Sequence, residues 1–502
     1  MATTLISALQ WWSRETPDNI ALRVGDTAVG YAELDRWTAK IAARLVAEGI
    51  RPGDRVGAIA GTSLAHCALL IGSVRAGALA SPLSTRLSQR ETGEFFEQTA
   101  PRLVFTDADQ VSKHSTIAGV GCRPLPIALI DELRSADAPE FTADAAPDDS
   151  VVIIATSGST AAPKGVVYTH RSMLSYAQEF AIEEPFIGSG SRVLALPPLS
   201  TSGGFVQLME FITLGATTRF EAGFDADRAL QFLQEERINV FQGVPLFFER
   251  VAACAGFEKA DLSDLRFTSV GGAPVSRALL DIWQKKGCLL RQIYGQTEAG
   301  GAISIMSKHE AATSPEKAGR GGMFTELRVI DADGKVLPPN QLGQILIRGP
   351  SVMKEYWNNP DATAKTLING WLHTGDLGRI DENGNLTFVD RMKDIIISGG
   401  LNISAAEVER VVAGFDGVFE VAVIGAADAK FGETPLAIIH STLPLQIEQI
   451  VAHCNQNLAD YKVPRYIVVE AEPLPRLPTG KIAKPALRAR FAELVPTLTR
   501  VR

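Results

Sequence analysis

Val151-Val-Ile-Ile-Ala155 followed by Thr156-Ser-Gly-Ser-Thr160-Ala-Ala-Pro-Lys164-Gly165 is the stretch that decides the fold. Its first five residues are an unbroken, mostly β-branched apolar run, which reads as a strand covered on both faces. The next ten carry hydroxyls, Gly158, Gly165 and one lysine. Such a loop can wrap phosphate oxygens with N–H and O–H donors, Lys164 adding charge. It is not a Walker A loop. Counting from Gly158, Pro163 stands where the second glycine belongs, and Gly165 where Ser or Thr should follow the lysine. A solvated Ser/Gly linker is the plain alternative.

Working outward, short apolar runs recur at Val56–Ala60, Arg192–Leu196, Ile238–Gln242, Leu265–Val270 and Leu289–Tyr294, with helical patterns such as Ser63–Ala76 between them. The alternation predicts α/β layers with largely parallel sheets. After about Glu326 the texture changes. Leu327–Ile330, Gly343–Ile347 and Asn385–Val389 are strands separated by turn sequences such as Asp333-Gly334 and Asn383-Gly384, as in antiparallel hairpins. A second change near Arg391 begins a compact α+β segment. We therefore expect a large N-terminal domain over 1–390, made of layered α/β subdomains with a β-rich subdomain from about 326, and a small α+β domain over 391–502. Ser135–Ser150, rich in Ala, Asp and Pro, reads as a surface connection.

With 502 residues the chain is too long for one compact core. Its net charge of -8, from 49 basic and 57 acidic residues, argues against nucleic acid as a partner. At 46% hydrophobic and 21% charged, the composition is that of a globular protein. The five cysteines are scattered without a CxxC pair, which suggests reduced thiols and a cytoplasmic setting rather than zinc or disulfides. No apolar run reaches the ~18 residues of a membrane span. The nearest, Ala58–Leu83, is interrupted by His66 and Arg75. The first residues lack a basic segment, and the Leu5, Ala8, Leu9, Trp12 spacing predicts an amphipathic helix.

Further chemistry-bearing motifs follow in order. Tyr294-Gly295-Gln296-Thr297-Glu298 comes after an apolar strand, and a Thr hydroxyl with a carboxylate there can hold Mg²⁺ against a polyphosphate. Ser269-Val-Gly271-Gly272-Ala273-Pro274 is a glycine-rich strand end where backbone can approach a flat purine ring. Thr374-Gly-Asp376 offers a carboxylate to a ribose diol. Arg391 and Lys393 sit at the inferred boundary, and Pro478-Thr-Gly-Lys481 puts a lysine on a tight turn. Each alone is also an ordinary polar turn. The seven histidines form no metal constellation, and His170 and His373 read as hydrogen-bonded structural groups.

Together, and with Thr27-Ala-Val-Gly-Tyr31, Glu355-Tyr-Trp357-Asn-Asn-Pro360, Gly370-Trp-Leu-His-Thr-Gly-Asp376 and Asp390-Arg-Met-Lys-Asp394-Ile-Ile-Ile-Ser-Gly-Gly400, these motifs resemble the adenylate-forming superfamily, in its acyl-CoA synthetase and aryl-CoA ligase branch. The resemblance implies ATP-dependent activation of a carboxylic acid as acyl-AMP, followed by transfer to coenzyme A. It implies that Thr156, Ser157, Gly158, Ser159, Thr160 and Lys164 cradle the β- and γ-phosphates. Gly271, Gly272, Ala273, Tyr294, Gly295 and Gln296 would border adenine, while Asp376 and Arg391 bind ribose. Thr297 would meet the α-phosphate and Glu298 would coordinate Mg²⁺. Lys481 would be the catalytic lysine of a mobile small domain, Lys393 its hinge, and Gly399 and Gly400 the wall of a CoA tunnel. The Pro475-x-x-x-x-Gly480-Lys481 spacing also resembles the sequence that protein acetyltransferases modify at the catalytic lysine; the family's catalytic turn by itself is the alternative source of that spacing. The expected oligomeric states are monomer and homodimer.

The departures matter most for the acid. Ala161 replaces a glycine of the phosphate loop, Asp390 replaces the glycine before Arg391, and Ala405 replaces a proline. Ser200-Thr201 stands where relatives carry an aromatic and a histidine beside the acyl pocket. Thr201, Phe241, Val244, Gly300 and Gly301 are the expected pocket positions. No Asp lies between Arg192 and Arg219 to pair with an α-ammonium, and no Lys or Arg clamps a second carboxylate. The expected substrate is an aryl or medium-chain monocarboxylate, aryl preferred. A stand-alone enzyme loading an acyl carrier protein and an inactive nucleotide sensor are the alternatives.

Overall fold

The protein is described by a computed structural model covering residues 3–113, 124–156, 163–273, 275–314, 317–476 and 481–502. Ser157, Gly158, Ser159, Thr160, Pro274 and the Pro478–Gly480 turn, all singled out above, lie outside the described residues. Two compact units divide the chain. The first comprises 1–272, 279–327 and 347–373, and the second 273–278, 328–346 and 374–502.

Two sheets dominate the first unit. The deciding strand, Ser150–Thr156, belongs to a seven-stranded sheet ordered Glu355–Tyr356, Lys164–Thr169, Ser150–Thr156, Leu79–Leu83, Arg55–Ile59, Leu103–Thr106, Pro124–Pro126. Four of its residues, Val151 to Ile154, are fully buried, as the apolar run requires. Lys164 opens a strand that pairs antiparallel with Ser150–Thr156, so the motif joins two strands of a hairpin. No helix N-terminus follows it to supply a dipole.

The nine-stranded sheet runs Arg320–Gly321, Gly301–Ile305, Leu290–Gln296, Phe267–Gly271, Val240–Gly243, Arg192–Ala195, Thr217–Phe220, Ile20–Val24, Thr27–Gly30. Its centre is parallel. The neighbouring strands Val240–Gly243, Phe267–Gly271 and Leu290–Gln296 therefore end on one carboxyl edge, where open α/β sheets bind ligands.

The apolar segment near Ala58 is a core helix, Leu64–Arg75, buried along its whole length and capped by Ser63. Its two polar interruptions are held by hydrogen bonds, although His66 Nε2 is buried without a partner among the described residues. His66 Nδ1 lies 3.0 Å from the Gly61 carbonyl, and burial lowers its pKa to about 4, so the ring is neutral. Arg75 donates to Asp35 and to Thr142 Oγ1. Among the described residues no helix is long and apolar enough to cross a membrane.

In the second unit, Glu420–Asp428 pairs along its length with Gly432–His440, in a sheet that also holds Ile396–Ser398, Leu401–Ile403 and Tyr466–Glu470. Helices Ala405–Ala413 and Ile447–Asn457 bury Val408, Val412, Ile450 and Cys454 with strand residues in one core. A separate sheet contains Glu326–Ile330, Gly343–Arg348, Trp371–Ile380, Leu367–Ile368 and Leu386–Arg391, its residues being assigned to both units.

Candidate active site

In the first unit the two sheets meet where chemistry was expected. Thr297–Ala299 forms one 3₁₀ turn at the carboxyl end of Leu290–Gln296. Gly300 ends it at φ +91°, a left-handed conformation, and a Cβ there would lie 2.2 Å from the Ser351 carbonyl oxygen. Only glycine fits. The short strand Glu355–Tyr356 pairs with Lys164–Thr169 through Tyr356 opposite Val166, which carries the Tyr356 ring to the turn.

The result is a connected polar line. Tyr356 Oη donates to Glu298 Oε1 at 2.8 Å. The Lys164 ammonium stands 4.7 Å from the centre of the same ring. Tyr168 Oη donates to the Thr297 carbonyl at 2.7 Å, and Ser202 Oγ and Thr297 Oγ1 share a hydrogen bond of 3.1 Å. Met353 N donates to the Glu298 carbonyl. Burial, with the Glu298 charge, raises the pKa of both tyrosines, so they stay phenols and donors. A hydrogen bond to a charged acceptor contributes about 1.5–3 kcal/mol. Glu298 is thereby oriented by the Tyr356 hydroxyl, whose ring also faces the Lys164 ammonium.

The donor set suits Mg²⁺, which takes one or two carboxylates and completes its shell with water and phosphate. Among the described residues no group of three or more His, Cys, Asp or Glu forms a protein-only metal cage. Glu298, a carboxylate outside any such cage, therefore fits an ion that arrives with phosphate. Gly271 and Gly272 close the neighbouring strand, and Gly272 has φ +78°.

In the second unit, Asp376 and Arg391 are direct partners across antiparallel strands, Arg391 Nε lying 3.8 Å from Asp376 Oδ1. Lys393 sits in the 3₁₀ turn Met392–Asp394, its pKa lowered by burial and then by Arg391. Asp394 is paired with Arg488 at 2.7 Å. Asp390 accepts from Ser404 Oγ at 2.8 Å and from Ala406 N at 3.0 Å, so it caps helix Ala405–Ala413 together with Ser404. Gly399 and Gly400, at φ +56° and +82°, form the two-residue turn between Ile396–Ser398 and Leu401–Ile403. That turn needs left-handed backbone at both positions, which glycine adopts without strain. Lys481 is exposed.

The expected acyl positions divide. Thr201 is spent on capping helix Ser202–Thr213: its hydroxyl accepts from Gly204 N and donates to the Pro198 carbonyl. Phe241 is fully buried among Phe248 and Trp283, at centroid distances of 4.5 and 6.5 Å, so its ring belongs to the core. Val244 precedes helix Pro245–Ala252 at the carboxyl edge. A Cβ at Gly301 would stand 3.2 Å from the Tyr176 ring. His170 accepts from Leu5 N, a structural bond. Tyr356, Tyr168 and Ser202 are the residues that motif reading missed. Tyr356 stood inside a quoted motif, but its role depends on strand pairing across 190 positions of chain.

A family model described as AMP-binding enzyme matches residues 9–357, and its C-terminal-domain model matches 407–481. The chain belongs to the AMP-binding enzyme family. A long-chain-fatty-acid–CoA ligase of Mycobacterium tuberculosis is 35% identical over 94% of this chain and 95% of its own. A feruloyl-CoA synthase of Amycolatopsis is 34% identical, covering 95% and 97%. Among solved structures, ATP-bound MatB from Rhodopseudomonas palustris has a TM-score of 0.91 at 28% identity, covering 98% of this chain and all of that one.

Proposed function

We propose that this family member is an acyl-CoA ligase that activates a monocarboxylic acid with ATP and passes the acyl group to coenzyme A. The observation that carries the reading is the line from Lys164 through Tyr356 and Glu298 to Thr297 and Ser202. It sets a cation, a carboxylate and two hydroxyls at the carboxyl edge of a parallel sheet, the donors a triphosphate needs.

In the first half-reaction a substrate carboxylate oxygen bonds to the α-phosphorus and pyrophosphate leaves. Lys164 neutralises charge on the departing phosphates. The Thr297 hydroxyl, aligned by Ser202, donates to an α-phosphate oxygen. Glu298, oriented by Tyr356, is the residue that would hold Mg²⁺; when bound, that ion neutralises phosphate charge and orients the leaving group. Lys481 stabilises the negative charge shared between carboxylate and α-phosphate. In the second half-reaction the CoA thiolate attacks the acyl carbon and AMP leaves. Asp376 and Arg391 hold the ribose in both, and Lys393 is the hinge between the two arrangements. A cytoplasmic setting suits the four free cysteines described.

Acetylation of Lys481 by a protein acetyltransferase would remove its charge and stop the first half-reaction. The apolar carboxyl edge at Val244 and Gly301 supports an aryl or medium-chain acid. The test is a panel of carboxylic acids with ATP, Mg²⁺ and either CoA or acyl carrier protein, read by mass spectrometry of the thioester. Transfer to the carrier protein alone, or no pyrophosphate release with any acid, overturns the reading.

A further inference from the structure

Helix Ser202–Thr213 starts at the reaction centre and leads away from it. Its first residue touches Thr297, and at 1.5 Å per residue Gln207 and Glu210 lie roughly 8 and 12 Å farther along the axis. Everything from Gly204 to Ile212 is buried. Within that apolar run Glu210 is 1% exposed, and neither carboxyl oxygen has a hydrogen-bond partner among the described residues. Gln207 is three residues earlier and therefore on the same face. It is 7% exposed and its Oε1 is likewise unpartnered. A buried polar group without a partner costs about 1–3 kcal/mol. Two such groups side by side call for a partner that the fold itself does not provide.

Their surroundings place them on the acyl side. Glu210 is near enough to Tyr176 to oppose ionisation of its phenol. The Tyr176 ring is what a Cβ at Gly301 would meet. Gly301 lies three residues beyond Glu298, and the strand it opens packs on the same helix. Opposite Gly301 in that strand pair, Gln296 is a third group with a buried, unpartnered polar atom, its Nε2. No Lys or Arg lies between Arg192 and Arg219. Burial without a cation pushes the Glu210 carboxyl well above the usual carboxylate range, so it presents an O–H donor and a carbonyl acceptor.

We propose that Glu210, with Gln207, is a specificity-determining residue that receives a hydroxyl group on the distal part of the substrate, making the preferred substrate a ring- or chain-hydroxylated monocarboxylic acid. This rests on the acyl-activating function proposed above. A hydroxyl completes both orphans, donating to Gln207 Oε1 and accepting from the Glu210 O–H. A methyl or ring edge leaves both unpaired. A second carboxylate would meet an acid with no cation beside it. The axial span matches a substrate whose carboxylate sits at Thr297 and whose hydroxyl lies across a phenylpropenoate skeleton or a comparable alkyl chain.

The test compares initial rates of CoA thioester formation for 4-hydroxycinnamate against cinnamate, and 8-hydroxyoctanoate against octanoate, in wild type, Glu210→Gln and Glu210→Leu. Wild type should favour the hydroxylated member of at least one pair by about tenfold or more in kcat/KM. Glu210→Leu should reduce that preference to within about twofold while turnover of the plain acid persists, and Glu210→Gln should be intermediate. Because Leu removes a buried unpaired group, its Tm should rise. A lowered Tm in Glu210→Leu makes Glu210 a packing residue and defeats the proposal. So do the absence of preference in wild type, an undiminished preference in Glu210→Leu, or a preference for 8-aminooctanoate, which would mean an ammonium partner. Turnover of plain and hydroxylated acids alike overturns this inference alone, whereas no adenylation of any acid overturns the activation reading with it.

Discussion

Glu298→Gln separates the chemical role of Glu298 from its structural one. The substitution keeps shape and keeps an oxygen that accepts from Tyr356 Oη, now 2.8 Å away. The Glu298 carbonyl still accepts from Met353 N. What is lost in folding is only the charge-assisted part of one hydrogen bond, on the order of 1 kcal/mol. For a unit of about 350 residues that is a Tm decrease of roughly 1–2 °C. In the reaction the same change deletes the carboxylate assigned to a metal-bound triphosphate, and comparable losses of charge stabilisation cost roughly 10²–10³ in turnover. The assay is acid-dependent pyrophosphate release titrated with Mg²⁺, beside thermal unfolding. We expect turnover to fall at least about a hundredfold and the Mg²⁺ midpoint to move upward, with Tm nearly kept. An unchanged Mg²⁺ midpoint refutes the assignment of Glu298. A Tm loss large enough to account for the fall in turnover refutes the separation of roles.

Three further outcomes are expected. Lys481→Ala should abolish adenylation yet leave thioester formation from a supplied acyl-adenylate largely intact; equal loss of both half-reactions in single-turnover measurements counts against its assignment. Lys393→Pro, with φ fixed near about −65°, should slow thiol transfer selectively, since a hinge must absorb a large dihedral change; parallel loss of both rates means the hinge lies elsewhere. Asp390→Ala removes acceptors from Ser404 Oγ and Ala406 N and should lower stability by about 1 kcal/mol, seen as a reduced denaturant midpoint; an unchanged midpoint means Ser404 alone suffices as the cap.

Motifs made of contiguous residues were legible because their local structure is dictated locally. The Val151 run had to be a covered strand, and Thr297-Glu298 had to fall at a strand end. Asp376 and Arg391, chosen separately, prove to be register partners. What escaped was set by long-range pairing. Tyr356 reaches Glu298 only because its two-residue strand adds to the edge at Val166. Phe241 looked like a pocket wall, but the aromatic rings of Phe248 and Trp283 claim it. Asp390 looked like a departure from a family pattern, and the helix it caps gives it a purpose. Glu210 carried the clearest unread signal, a lone acid between Met209 and Phe211 in an apolar helix.

The central claim is that the acid is activated as an adenylate. It is tested most directly by supplying a carboxylic acid labelled with ¹⁸O in both carboxyl oxygens, with ATP, Mg²⁺ and CoA, and locating the label after one turnover. The carboxylate oxygen that bonds to the α-phosphorus stays there when CoA displaces AMP, so the account predicts one ¹⁸O in AMP and none in pyrophosphate. Label appearing in inorganic phosphate, with ADP as the nucleotide product, would contradict it.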